Sequence, residues 1–287
     1  MFQKITVLLE MIKFKLTIFA MPFAFMGAFL AERGVPNGRT FLLVVLAMVG
    51  ARTCAMGFNR IVDARFDKAN PRTAERAIPS GAVSSLEAWS MVIAAGVLFF
   101  YAAWSLNPLT LKLAPFALGL TLFYSLTKRF TSFCHLILGV ALAFSPLGGW
   151  VAVQGSLTSY PWSLSLGVLF WVAGFDTIYA CLDADFDKKA GLHSMPSKLG
   201  QRNAFRLAFI FHIVAFCLFA YTGVQAGLNV VYYIGVLVAA GVLFYQHKLV
   251  NPDDLSKIKG SFFSMNGIIS LVLFIATWFS LIIEKVG

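Results

Sequence analysis

Two short aspartate runs in this chain repeat each other. Asp63-Ala64-Arg65-Phe66-Asp67-Lys68 returns as Asp183-Ala184-Asp185-Phe186-Asp187-Lys188, and each run closes a long apolar segment. A carboxylate held at the centre of a membrane helix costs about 2.5–3.5 kcal/mol on insertion scales, so paired carboxylates at a membrane surface point to a cationic partner. Residues four apart share a helix face, which predicts one stripe of Asn59, Asp63 and Asp67 and a second of Asp176, Tyr179, Asp183 and Asp187. Asp185 points away from the second stripe. Mg²⁺ prefers about six oxygen ligands, commonly one or two carboxylates plus substrate phosphates. Two facing stripes, Asp63/Asp67 and Asp183/Asp187, are therefore candidate Mg²⁺ sites bridged by a diphosphate. The diphosphate also needs cationic donors, for which Arg72, Arg76, Lys128, Arg129, Lys188 and Lys198 are the candidates. No P-loop, GxSxG or HExxH pattern is present, which argues against nucleotide hydrolysis and against serine or zinc hydrolase chemistry.

Arg52 is the second informative residue. It lies seven positions before Asn59 on the same predicted helix face, about 10 Å deeper in the membrane at 1.5 Å per residue. A buried guanidinium needs an anionic or strongly accepting partner. Two readings stay open, a bond to helix carbonyls or another helix's polar group, and recognition of the carboxylate of a second, largely apolar substrate.

The elements that hold these residues are membrane helices. The 287 residues are 59% hydrophobic and only 13% charged, which excludes an ordinary soluble globule. Apolar segments fall at 16–31, 40–62, 86–105, 109–126, 132–154, 162–182, 205–224, 229–246 and 262–283. Lipid offers no hydrogen-bond partners, so these are expected to be helices. Residues 1–31 resemble a signal peptide, but Ala31-Glu32-Arg33 is a poor cleavage site and eight more segments follow, so the segment is read as the first of nine transmembrane helices. The net charge of +10 is mostly topology rather than a nucleic-acid surface. With the N-terminus inside, alternate loops place eighteen Lys and Arg residues inside and four outside, with Arg52 left within a helix. Cys54, Cys134, Cys181 and Cys217 lie within the predicted helices without CxxC spacing and read as small buried residues, not as disulfides or a zinc site.

External connections are short and almost uncharged, whereas those after helices 2 and 6 are long and patterned. Aligning the Pro-Ser pairs of Asn70–Gly81 and Lys189–Lys198 with a three-residue gap sets Arg76 opposite His193. Two four-helix units of the same orientation plus a ninth helix explain this pattern, within a single membrane-embedded domain over 1–287. His193, in the loop after an aspartate motif, is a candidate substrate contact. His212 and His247 read as single structural residues, and Asp253/Asp254 as a solvated turn.

The motif Asn59-Arg60-Ile61-Val62-Asp63-Ala64-Arg65-Phe66-Asp67 resembles the NDxxDxxxD signature of the UbiA superfamily of intramembrane aromatic prenyltransferases, and Asp183 to Asp187 resembles its DxxxD. "NPRTAERAIPSG" is similar to the family's RTxxRPxxSG segment, and "YSLTKRFT" to its YxxxKR turn. Arg60 departs from the family's usual aspartate, and Ala77-Ile78-Pro79 from its Arg-Pro junction. The resemblance implies an all-α bundle of nine helices in which Asp63, Asp67, Asp183 and Asp187 bind Mg²⁺-diphosphate. It further implies diphosphate contacts from Arg72, Arg76 and Lys128, with Asn59, Asp176, Tyr124 and Tyr179 lining the site. In the branch that prenylates 4-hydroxybenzoate, an arginine at the position of Arg52 is associated with the acceptor carboxylate.

The expectation is transfer of a polyprenyl chain from its diphosphate to an aromatic carboxylic acid, at the cytoplasmic face of a bacterial inner membrane. The favoured acceptor is 4-hydroxybenzoate of ubiquinone synthesis, and the nearest alternative is 1,4-dihydroxy-6-naphthoate of a menaquinone route. An ion-coupled transporter is the competitor from another class, though such sites usually lie near the membrane midplane on broken helices.

Overall fold

A computed structural model describes the backbone of residues 2–13 and 17–286. Its helices are α1 (Phe2–Met11), α2 (Thr17–Glu32), α3 (Gly38–Val62), α4 (Ala64–Ala69), α5 (Ser85–Leu106), α6 (Pro108–Thr127), α7 (Cys134–Gln154), α8 (Trp162–Ala180), α9 (Ala184–Lys189), α10 (Met195–Leu199), α11 (Gln201–Gln225), α12 (Val230–Leu249) and α13 (Ile258–Val286). Among the described residues, eight helical segments are long and apolar enough to cross a membrane, and α2 is a shorter apolar helix. They coincide with the nine segments expected from the sequence to within a few residues. Lys15, counted among the inside charges, lies outside the described residues.

Local signals fix the helix ends. Asn37 and Asn107 accept the backbone N–H of Thr40 and Thr110, and Ser84 with Glu87 forms a capping box that opens α5. Gly155, at φ +62°, closes α7 in the left-handed conformation that favours glycine. Large apolar side chains such as Leu86, Trp104, Phe116 and Leu237 are exposed on the outer faces, the pattern of a bundle solvated by lipid.

The repeat seen in the sequence is also a repeat in space. Helix α3 packs on α5 in the first unit as α8 packs on α11 in the second, and the leading helices α2 and α7 cross each other. At that crossing a Cβ on Gly27 would sit 1.9 Å from the Pro146 carbonyl oxygen, and one on Gly149 would sit 1.9 Å from that of Ala24. Each helix thus contributes a glycine where the other's backbone passes, the small-residue contact that lets membrane helices approach closely.

Two sequence expectations are corrected here. The carboxylate stripes do not lie on unbroken helices: α3 stops at Val62, Asp63 is its C-cap, and α4 starts at Ala64. In the second unit α8 gives way to a 3₁₀ turn over Cys181–Asp183 before α9. The chain therefore bends at the first aspartate of both motifs, while Asp67 N still donates to Asp63 O at 2.8 Å. Cys217, expected to be buried, is exposed on α11.

Candidate active site

One cavity of about 540 Å³ opens among the helices under the two motif segments. It is lined by Arg52, Asn59, Asp63, Asp67, Arg72, Arg76, Tyr124, Lys128, Arg129, Asp176, Tyr179, Asp183 and Asp187, so every expected site residue but His193, Lys188 and Lys198 shares it. Its deeper walls are apolar, with Phe99, Leu118, Leu142, Trp171 and Phe175 among them.

Each motif carboxylate is matched to one cation. Asp63 Oδ1 lies 3.1 Å from Arg129 Nη2 and its Oδ2 accepts from Asn59 Nδ2 at 2.8 Å. Arg76 Nη1 bridges both oxygens of Asp67, at 2.7 and 2.8 Å. Arg72 Nε donates to Asp183 Oδ1 at 2.7 Å, its Nη2 pairs with Oδ2, and Asn70 Nδ2 adds a bond to Oδ1 at 2.9 Å. Lys128 Nζ reaches Asp187 Oδ2 at 3.1 Å. The second aspartate of each motif is the deeper one, Asp67 at 6% and Asp187 at 2% exposure. Charges so enclosed persist only when paired. The neighbours Lys128 and Arg129, between the two units, reach opposite motifs, and Arg72 of the first unit serves the second.

The charge states follow from this geometry. Burial pushes the Asp63 carboxyl up to about 6, against the pull of Arg129. Burial alone would lower the Arg72 guanidinium, but its bonds to Asp183 carry it above its ordinary value. Lys128 behaves alike, with Asp187 outweighing desolvation.

Beyond these pairs the cavity is cationic. Arg52 Nε is buried without a hydrogen-bond partner, and among the described residues no carboxylate lies within ion-pair distance of Arg52 or Arg60. Arg60, which replaces the family's aspartate, is 7% exposed and tethers α1 through a 3.3 Å bond from its Nε to the Met11 carbonyl. Tyr179 lies under Arg72, whose guanidinium carbon is 5.7 Å from the ring centroid.

The remaining expectations fare differently. His193 is exposed and lies off the cavity, and its backbone N–H donates to the Lys128 carbonyl at 2.7 Å. Lys188 and Lys198 are exposed and do not line the cavity either. His212 and His247 are not solitary, because Nδ1 of one meets Nε2 of the other at 2.7 Å. Two cavity residues escaped the sequence reading. Asn70 holds Asp183, and His135, fully buried, places Nδ1 2.7 Å from Asp176 Oδ2. Asn70 had a signal, since it opens the arginine run. His135 lies four residues beyond the YSLTKRFT segment and fits no pattern that would mark it.

Among the described residues no three carboxylate, imidazole or thiol groups converge on one point. The donor set nonetheless suits Mg²⁺, being all oxygen with two carboxylates per motif, because this ion completes its shell with water and phosphate.

Comparison with known proteins agrees with the geometry. The family model "UbiA prenyltransferase family" matches residues 20–279. A 4-hydroxybenzoate octaprenyltransferase of Shewanella woodyi is 30% identical over 88% of this chain and 87% of its own length. That of Vibrio cholerae is 32% identical over 77% of this chain and 78% of its own. A UbiA homologue of Aeropyrum pernix K1, 35% identical, superimposes with a TM-score of 0.85 over 94% of this chain and 98% of that one. The Archaeoglobus fulgidus homologue bound to GPP and Mg²⁺ shares the fold, with a TM-score of 0.75, 22% identity, and coverage of 96% and 99%. This integral membrane chain belongs to the UbiA family and is a prenyltransferase.

Proposed function

We propose that the chain transfers a polyprenyl group from its diphosphate to an aromatic acid of quinone biosynthesis, with Mg²⁺ as cofactor and 4-hydroxybenzoate as acceptor. One observation carries the reading: four carboxylate–cation pairs stand at the motif end of a single cavity whose deeper part holds Arg52, which has no carboxylate partner among the described residues. The names of the curated relatives and the GPP and Mg²⁺ of the Archaeoglobus structure support it.

Asp63, Asp67, Asp183 and Asp187 are the residues that would hold Mg²⁺. Bound there, it offsets the diphosphate charge and stabilises the leaving group. Arg72, Arg76, Lys128 and Arg129 exchange carboxylate oxygens for phosphate oxygens as the donor binds. No cation is then left unpaired, and the developing negative charge meets donors already in place. The C–O bond breaks, and the ring carbon ortho to the phenol oxygen attacks the allylic cation. The faces of Tyr124 and Tyr179 shield that cation, and the apolar walls keep out the water that would trap it as an alcohol. Arg52 offers the planar fork that matches an acceptor carboxylate. The charge asymmetry of the loops supports a cytoplasmic position for the motifs, in a bacterial inner membrane.

Arg52 suits the carboxylate of 1,4-dihydroxy-6-naphthoate equally well, so the test offers both acids. Membranes containing the protein, given Mg²⁺ and a polyprenyl diphosphate with each acid separately, are assayed by mass spectrometry. Prenylated 4-hydroxybenzoate is the expected product. Prenylated naphthoate would transfer the assignment to a menaquinone route, and product from neither acid would overturn the acceptor class.

A further inference from the structure

The pair of His135 and Asp176 lies in the same cavity but takes no part in holding the diphosphate. His135, the second residue of α7, is 0% exposed and Asp176 on α8 faces the cavity. His135 Nε2 accepts the backbone N–H of Met195 at 3.3 Å. A ring nitrogen that accepts carries no proton, so the hydrogen sits on Nδ1 and is donated to Asp176 Oδ2 at 2.7 Å. The imidazole is then neutral, with its tautomer and orientation fixed from both sides.

Asp176 therefore differs from the four motif carboxylates. Each of those faces a full cation, whereas among the described residues no Lys or Arg lies within ion-pair distance of Asp176. A carboxylate held by a neutral donor is positioned without a cation to offset its charge. Its depth is also informative. Asp176 precedes Asp183 by seven residues and Arg52 precedes Asp63 by eleven. With the repeat setting both motifs at one level, Asp176 lies about 6 Å nearer the motifs than Arg52 at 1.5 Å per residue, roughly the span from a carboxylate to the para oxygen across one benzene ring.

We propose that Asp176, oriented by His135, is the base that takes the phenolic proton of the acceptor. The inference rests on the acceptor reading above. The phenol O–H bond breaks and its proton passes to Asp176. The allylic C–O bond breaks with its electron pair going to diphosphate, and the ortho carbon of the phenolate forms the new C–C bond, giving a neutral dienone. The ring proton then leaves to diphosphate while Asp176 returns its proton to the oxygen, so the carboxylate is regenerated and the ring is aromatic again. Asp176 is catalytic in this scheme and His135 is a positioning residue.

The test uses the full chain in lipid nanodiscs with Mg²⁺, geranyl diphosphate and 4-hydroxybenzoate. His135→Leu is expected to lower kcat about 100-fold, the scale of general base catalysis, with KM for geranyl diphosphate nearly unchanged. His135→Asn keeps a donor where Nδ1 stood and is expected to recover most of that loss. With 3-fluoro-4-hydroxybenzoate, whose phenol is more acidic, the ratio of parent to His135→Leu should shrink, because less of the reaction then needs a base. Equal losses with both acceptors, or a His135→Leu protein as fast as its parent, would overturn the proposal. If His135→Leu fails to bind Mg²⁺-geranyl diphosphate, Asp176→Asn is put through the same acceptor comparison, with the same two outcomes. A parent that prenylates neither acid would overturn the acceptor reading itself and this inference with it.

Discussion

The two aspartate motifs match in sequence, yet the loops that follow them do different work. The loop after α4 sends Asn70, Arg72 and Arg76 back into the cavity, where they hold Asp183 and Asp67. The loop after α9 contributes no cation. Instead its main chain buttresses the site: His193 N–H binds the Lys128 carbonyl, Ser194 caps α10, and Met195 N–H fixes His135. One loop grips charge and the other positions the groups that do. Two similar carboxylate ends therefore share one set of arginines, as a single diphosphate lying between them would require.

This contrast can be broken by substitution. Asp67→Ala should have the largest effect, lowering turnover about 10³-fold, since it removes a buried charge that holds Arg76 and, in the proposed function, the metal; product formation by membranes bearing the variant checks it. Arg72→Ala, on the gripping loop, should cost about 10²-fold in kcat/KM because it unpairs Asp183 as well as losing a phosphate donor. Arg52→Ala should raise the acceptor KM roughly tenfold, the value of a charge-assisted hydrogen bond, and leave that of the prenyl diphosphate unchanged. An unaltered acceptor KM would count against carboxylate recognition. His193→Ala and Lys198→Ala, on the buttressing loop, should stay within about twofold of the parent, as exposed side chains usually do. A loss there as large as that of Arg72→Ala would erase the distinction between the loops.

Much of this was legible in the chain. Long apolar segments can only be helices in lipid, and a motif repeated at matched helix ends announces a two-part site. What the sequence withheld is tertiary. Which cation meets which carboxylate depends on the bends at Asp63 and Asp183, and no glycine or proline marks either bend. Arg129, one candidate among six, proved to bind Asp63, while Lys188 and Lys198 are exposed and do not line the cavity. The contacts of His135 with Asp176 and of His212 with His247 join different helices, 41 and 35 residues apart, beyond the reach of any periodicity. The exposed Cys217 shows the same limit, because a helix sequence in lipid can be apolar on every face and so does not tell its inner side from its outer.

If the two motifs together hold a metal-bound diphosphate, equilibrium binding of labelled geranyl diphosphate to the purified protein will reveal it. Binding should require Mg²⁺, vanish with a chelator, return when the ion is restored, and be lost in both Asp67→Asn and Asp187→Asn. Tight binding that ignores the chelator, or that survives in either variant, would mean that the motifs do not hold the diphosphate through a shared metal.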